Sequence, residues 1–321
     1  MSSKFLRRLL WVAGIAGSTL LTSCGGGGQV EPFAPTRVLA FGDELSTIEA
    51  DGRKYSINAF RQVSVNGVLT DDPTTLDCTR NPLCIQTVAT GFRLAFDRCL
   101  GTATTASGQV RAQAGHKVAN LAAQIAGVQG DALGEKDLAL VMIGMNDILE
   151  LYASYPATSR DALLAEARVR GAALGAQVNQ LALRGPAVVV LTVPDIGLSP
   201  FALAQNTSTG DATRSALISD LVAAFNNRMS VALINDGRLI GLVYADIEVQ
   251  NNVKFAASFG LANVVAAACR ADAPLPGCTS ATLVDTATAS TWLWADALRL
   301  SPAGQLRLGG LAESRARSNP F

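Results

Sequence analysis

Four polar clusters in this chain stand where chemistry can be done, and each follows or interrupts an apolar stretch. Gly42-Asp43-Glu44 closes the first, within RVLAFGDELS at 37–46. Gly144-Met145-Asn146-Asp147 and Pro194-Asp195 close two others, and Asp296-Ala297-Leu298-Arg299 comes late, ahead of Ser301-Pro302. Carboxylates can serve as bases, nucleophiles or partners of a cation, and an amide can donate to a developing negative charge. Arg299 cannot transfer protons, because a guanidinium stays charged at any working pH. His116 is the one histidine of the chain, so no zinc site is expected.

The elements that must position these clusters alternate. The runs at 137–143 (DLALVMI) and 187–193 (AVVVLTV) are continuously apolar, the mark of strands covered on both faces, and 239–244 (LIGLVY) reads as a further strand. Helical patterns cover 82–96, 118–128, 159–183, 211–235 and 303–317, with another helical stretch beginning at Ile148. Between 49 and 82 the turn signals Asp51-Gly52 and Asn66-Gly67 predict hairpins. Trp292 and Trp294 alternate like the core and surface residues of a strand. This order predicts an α/β protein, three layers deep around a parallel sheet, with functional groups at the strand C-termini. Residues 37–321 read as one domain without internal repeat.

Bland roles are expected for several of these groups. Asp43 suits acceptance of backbone N–H groups in its turn, and Ser46 suits a helix cap. Asn146 and Asp147 suit capping of the helix near Ile148, and Asp195 suits the same task in its own turn. His116 reads as a polar residue at a helix start. There is no Gly-x-Gly-x-x-Gly, phosphate loop, Gly-x-Ser-x-Gly elbow or His-Glu-x-x-His, so no cofactor is expected.

Composition narrows the class. The 321 residues carry 16% charged side chains, well under the usual quarter, which argues against disorder. Basic and acidic residues balance at 26 each; without Lys4, Arg7 and Arg8 they stand at 23 against 26. No basic face is implied, and nucleic acid is not an expected partner.

Those three cations precede an apolar run at 9–21, too short to span a bilayer comfortably. It ends in Leu21-Thr22-Ser23-Cys24, which resembles the bacterial lipobox. The resemblance implies a signal peptide at 1–23, cleavage before Cys24, lipid attachment there and export. Gly25, rather than aspartate, after that cysteine favours the outer membrane of the cell envelope. Residues 24–36 then form a flexible tether with a reach of about 20 Å. In an oxidising compartment the remaining cysteines invite pairing. Cys269 and Cys278 flank a proline-containing loop and are expected to pair; Cys84 lies in an apolar helical pattern, leaving Cys78 for Cys99. Spacing alone does not fix that connectivity.

In this order the clusters resemble the blocks of the GDSL or SGNH hydrolases, serine esterases and lipases on a flavodoxin-like α/β/α fold. Gly42-Asp43-Glu44-Leu45 matches the Gly-Asp-Ser-Leu block, Gly115 the second-block glycine, Gly144-Met145-Asn146-Asp147 the Gly-x-Asn-Asp block, and Asp296-Ala297-Leu298-Arg299 the Asp-x-x-His block. The resemblance spans about Val38 to Leu311. It implies that Gly115 and Asn146 are oxyanion donors, each typically worth roughly 3 kcal/mol in such sites. It also implies hydrolysis of carboxyl esters in lipids, acylated glycans or small molecules. Here Glu44 stands at the serine position and Arg299 at the histidine position, so the hydroxyl nucleophile and its imidazole base are both replaced.

Serine and histidine touch in that family, so Glu44 and Arg299 are expected to form a charge-assisted pair, its single or bidentate geometry left open, with Asp296 on the other side of the guanidinium. The arginine offsets what would otherwise be an unpaired buried carboxylate. A rearranged Ser46–His116 pair is a remote alternative. Three functional expectations follow: a degenerate hydrolase, a hydrolase using Glu44 as base or nucleophile, or an envelope protein binding an acyl-ester or glycan ligand in the old cleft.

Overall fold

The strand β1 (Arg37–Gly42) runs through the centre of the core, buried from Val38 onward. The computed structural model describes residues 32–321. The leader, Cys24 and the tether up to Glu31 lie outside the described residues. A hairpin follows, β2 (Phe60–Val65) and β3 (Val68–Leu76), turning through Asn66 and Gly67 at φ 51° and 81°. Two successive positive φ values fit the right-handed twist of a hairpin, and Asn-Gly is the pair that supplies them.

The remaining elements are α1 (Cys84–Gly91), β4 (Gly108–Val110), α2 (Leu121–Ala126), β5 (Asp137–Met142), α3 (Met145–Ala153), α4 (Arg160–Ala182), β6 (Ala187–Leu191), α5 (Pro200–Thr209), α6 (Arg214–Ala232), β7 (Ile240–Val243), α7 (Ala245–Lys254), β8 (Asn263–Ala267), β9 (Trp292–Trp294) and α8 (Pro302–Ser318). The central sheet has the order β4-β1-β5-β6-β7, parallel throughout. Counted by its own strands this is 2-1-3-4-5, the flavodoxin-like winding, and helices flank the sheet. The fold is therefore three-layer α/β. Every residue of β5 and β6 is buried, which is why both read as unbroken apolar runs. Residues 33–321 pack as one compact unit.

The winding places the ends of β1, β5 and β6 along one edge. Gly42 must be glycine there: its φ is 147°, and a Cβ would meet the Met142 carbonyl oxygen at 2.0 Å. Gln124 grips the same residue from α2, accepting from Gly42 N at 2.8 Å and donating to its carbonyl at 2.7 Å.

Several boundaries differ from the sequence pattern. Helix α1 stops at Gly91, and Arg93 takes a left-handed φ of 60°; Phe96, which extended the helical pattern, is buried from a loop that bridges to Gly108. Helix α2 ends at Ala126 after a 3-10 turn at Val118–Asn120. Helix α3 begins at Met145, so Asn146 and Asp147 sit inside its first turn rather than ahead of it. Helix α6 starts at Arg214, because Asp211 turns its carboxylate onto Thr213 N at 2.9 Å. Trp292 and Trp294 do not alternate between core and solvent. Both are buried: β9 pairs with β8, and Trp292 packs into a second small cluster with Ile57, Cys269 and Cys278. The disulfides are Cys78–Cys99 and Cys269–Cys278, with Cys84 buried and free.

Candidate functional site

Asp43 starts the site. It leaves β1, and its Oδ1 accepts from Leu45 N at 3.1 Å, capping a 3-10 turn over Glu44–Ser46. Asp43 is thus the cap that the pattern assigned to Ser46. The serine is buried within the turn, and its Oγ has no hydrogen-bond partner among the described residues. The turn aims Glu44 inward toward three other segments.

Glu44 is the centre on which the expected residues converge. Its Oε2 accepts from Gly115 N at 2.9 Å and from Asn146 Nδ2 at 2.8 Å. Its Oε1 accepts from Arg299 Nη2 at 2.7 Å. Arg299 reaches Asp296 Oδ2 through Nη1 at 2.9 Å, and Asp296 Oδ1 holds the backbone by accepting from Leu298 N and Arg299 N at 2.8 and 2.6 Å. The Glu44–Arg299 contact is single rather than bidentate. The second carboxylate oxygen is taken by Gly115 and Asn146, so the guanidinium spends its other arm on Asp296.

Each donor is fixed by local structure. Gly115 stands at φ 77°, in a turn where a backbone N–H is free to point at a ligand rather than along a helix. Asn146 projects from the first turn of α3, and its Nδ2 also donates to the His116 carbonyl at 3.1 Å. Asp147, beside it, accepts from Val118 N at 2.9 Å and from Arg170, tying α3 to the Gly115 loop instead of capping its own helix. Arg299 lies over a Glu44 side chain that is almost fully buried.

The electrostatics follow. Burial works to raise the Glu44 pKa, but Asn146, the Gly115 N–H and Arg299 outweigh it and hold the carboxyl below its ordinary value. Asp43 moves the other way. Complete burial first, and the Glu44 charge second, push its pKa well above the ordinary carboxyl value. One carboxyl of this adjacent pair therefore stays ionised while the other resists ionisation, as like charges in one site require.

The Ser46–His116 pair is not formed. His116 Nδ1 lies 2.8 Å from Gln124 Nε2, and Ser46 is enclosed. Asp195 stands apart, accepting from Gly197 N, Ser219 Oγ and Gln250 Nε2, which caps its own turn and ties it to α6 and α7. Two neighbours escaped the sequence reading. Gln124 carried no signal beyond an amide on an amphipathic helix. Tyr55, whose phenol is raised by burial and then by Glu49, also feels the charges of Glu44 and Arg299. No group of side chains able to hold a metal ion occurs among the described residues.

Compared with known proteins, the chain matches no family model. It also matches no curated protein. Among solved structures it is similar to an acetyl xylan esterase from Geobacillus stearothermophilus, with 13% identity, a TM-score of 0.38, and coverage of 89% of this chain and 96% of that one.

Proposed function

We propose that this chain is an exported lipoprotein derived from GDSL-type carboxyl-ester hydrolases, and that its hydrolytic site is closed by its own glutamate. The observation that carries the reading is the position of Glu44 Oε2, which accepts both from Gly115 N and from Asn146 Nδ2. Those are the two donors that the resemblance assigns to a substrate oxyanion. With a carboxylate between them, a tetrahedral intermediate has no donors to lean on. Its other oxygen faces a permanent cation, and no imidazole stands where a leaving group would need a proton. A general-base role for Glu44 is not favoured, since the same contacts lower its basicity. In this reading the domain is lipid-anchored at Cys24 in the outer membrane, and its old hydrolytic site is filled from within by Glu44.

The chemistry is tested with residues 33–321 on short and long p-nitrophenyl esters, beside the Glu44→Ser, Arg299→His double variant. The expected result is no hydrolysis by the parent and measurable hydrolysis by the double variant. Parent activity that disappears in Glu44→Ala would overturn the reading. Anchoring is tested separately, by mass spectrometry of full-length chain from membranes for a lipid adduct on Cys24. An unmodified, cleaved or soluble Cys24 form would sink that half alone.

A further inference from the structure

A cavity lies away from Glu44. Its wall includes Phe96, which bridges to Gly108 opposite Val38 near the entry end of β1, whereas Glu44 follows that strand's exit end. Its volume is about 780 Å³, within the range of small-molecule sites. The larger apolar side chains of its wall are Leu76, Leu94, Phe96 and Leu100, and two guanidiniums, Arg61 and Arg93, share the lining.

The wall is braced. The Cys78–Cys99 disulfide joins two of its lining segments. Behind it the buried Lys54 Nζ donates to the carbonyls of Cys78, Arg80 and Asn81 at 2.9, 2.6 and 2.9 Å, and Gln86 Nε2 donates to Cys78 O at 2.9 Å. A cavity held this way exists before any ligand arrives, which reduces the ordering needed on binding.

Arg93 is the unusual member. It follows α1 at φ 60°, and Leu94 N reaches back to Ala89 O at 2.8 Å, the closing pattern of a helix end that favours glycine. An arginine there is disfavoured by its own backbone. Its side chain forms no ion pair among the described residues, while Arg61 is engaged by Asp72 at 3.1 Å. The carboxylate in the wall, Asp77, has Oδ1 turned to Thr79 N and Oγ1 at 2.9 and 2.6 Å. The cavity thus joins an apolar floor to one unengaged cation.

We infer that this cavity binds a single-headed anionic amphiphile, its head group on Arg93 and its aliphatic tail along Leu76, Leu94 and Leu100. A fatty-acid carboxylate and a phosphate-headed lipid fragment share that chemistry. The inference does not depend on the state of the Glu44 site.

Calorimetric titration of residues 33–321 with dodecanoate and dodecyl phosphate tests it, with dodecyl maltoside and inorganic phosphate as controls. At least one anionic amphiphile should bind, with the neutral amphiphile and free phosphate about tenfold weaker or more. Preference between the two anions identifies the source of the head group. Arg93→Ala should weaken binding about tenfold or more, the loss of one charge-assisted contact. Arg93→Gly should weaken it equally while the melting temperature holds or rises, which a purely structural arginine would not allow. Binding unchanged in both variants, equal binding of the maltoside, no binding of either anion, or a fall in the melting temperature of Arg93→Gly would overturn the inference.

Discussion

Asn146 Nδ2 donates to Glu44 Oε2 at 2.8 Å, so this side-chain amide is engaged by the chain's own carboxylate. Gly115 N completes the embrace at 2.9 Å and Arg299 covers the other oxygen at 2.7 Å. A carboxylate resembles the product of ester hydrolysis in shape and charge. The site is therefore occupied internally, and what it recognises can be asked by taking the occupant away.

Glu44→Ala should leave Arg299, Asn146 and Gly115 around a small empty space. Removing the shared acceptor is expected to destabilise the domain by about 1–2 kcal/mol. Added acetate should then restore stability in the variant. For a Kd of about 10 mM, 100 mM acetate would return about 1.4 kcal/mol. Melting curves in acetate against chloride at equal ionic strength measure this. An equal acetate effect on the parent would show that the anion acts elsewhere.

Glu44 and Arg299 should be strongly coupled. Arg299→Met strands a buried carboxylate and an aspartate, and is expected to cost about 3 kcal/mol. Glu44→Gln with Arg299→Met should cost less than the two single changes added, by about 2 kcal/mol. Urea unfolding of the four proteins supplies the cycle. A coupling near zero would mean that the pair is incidental to stability.

The adjacent carboxyls predict opposite pH slopes. Glu44 has a lowered pKa when folded, so its contribution is present above its ordinary value and fades as pH falls through the folded one. Asp43 has a raised pKa when folded: its contribution is intact below the ordinary carboxyl value and is lost as pH climbs toward the folded pKa. Asp43→Asn keeps the Oδ1 acceptor for Leu45 N while removing the ionisation. Its stability relative to the parent should rise steadily from pH 4 upward. A flat difference between pH 4 and pH 7 would count against a protonated Asp43.

These relationships were unequally visible in the sequence. The strands β5 and β6 announced themselves because both their faces are covered, and of the polar residues at their exits it is Asn146, after β5, that meets Glu44. Ser159 announced α4, whose first turn it caps. Helix α7 gave no such sign: ADIEVQNNVK has little apolar periodicity, and its start is held by Thr192 Oγ1 on Asp246, a contact made across 54 positions. Residue types at the Glu44 and Arg299 positions pointed to an ion pair. They carried no information on the second carboxylate oxygen, because its partners depend on how α3 and the Gly115 loop dock beside the turn. Gln124, which fixes Gly42 from 82 positions away, belongs to the same class.

Lys54 gives a last prediction, in the alkaline range. The side chain is fully buried, and its ammonium meets three backbone carbonyls and no carboxylate. Burial pulls its pKa down from 10.5 to about 7, with Asp77 opposing more weakly. Between those two values the folded chain holds this proton less firmly than the unfolded chain does. Stability contributed by Lys54 should therefore increase as pH rises from about 7, with a slope of at most about 1.4 kcal/mol per pH unit. Lys54→Met lacks that slope and leaves the Arg80 and Asn81 carbonyls without this donor, so its deficit against the parent should widen from pH 7 to 9.5 in urea unfolding. A deficit constant across that range would mean that Lys54 keeps its proton in the folded protein, held by the three carbonyls against burial.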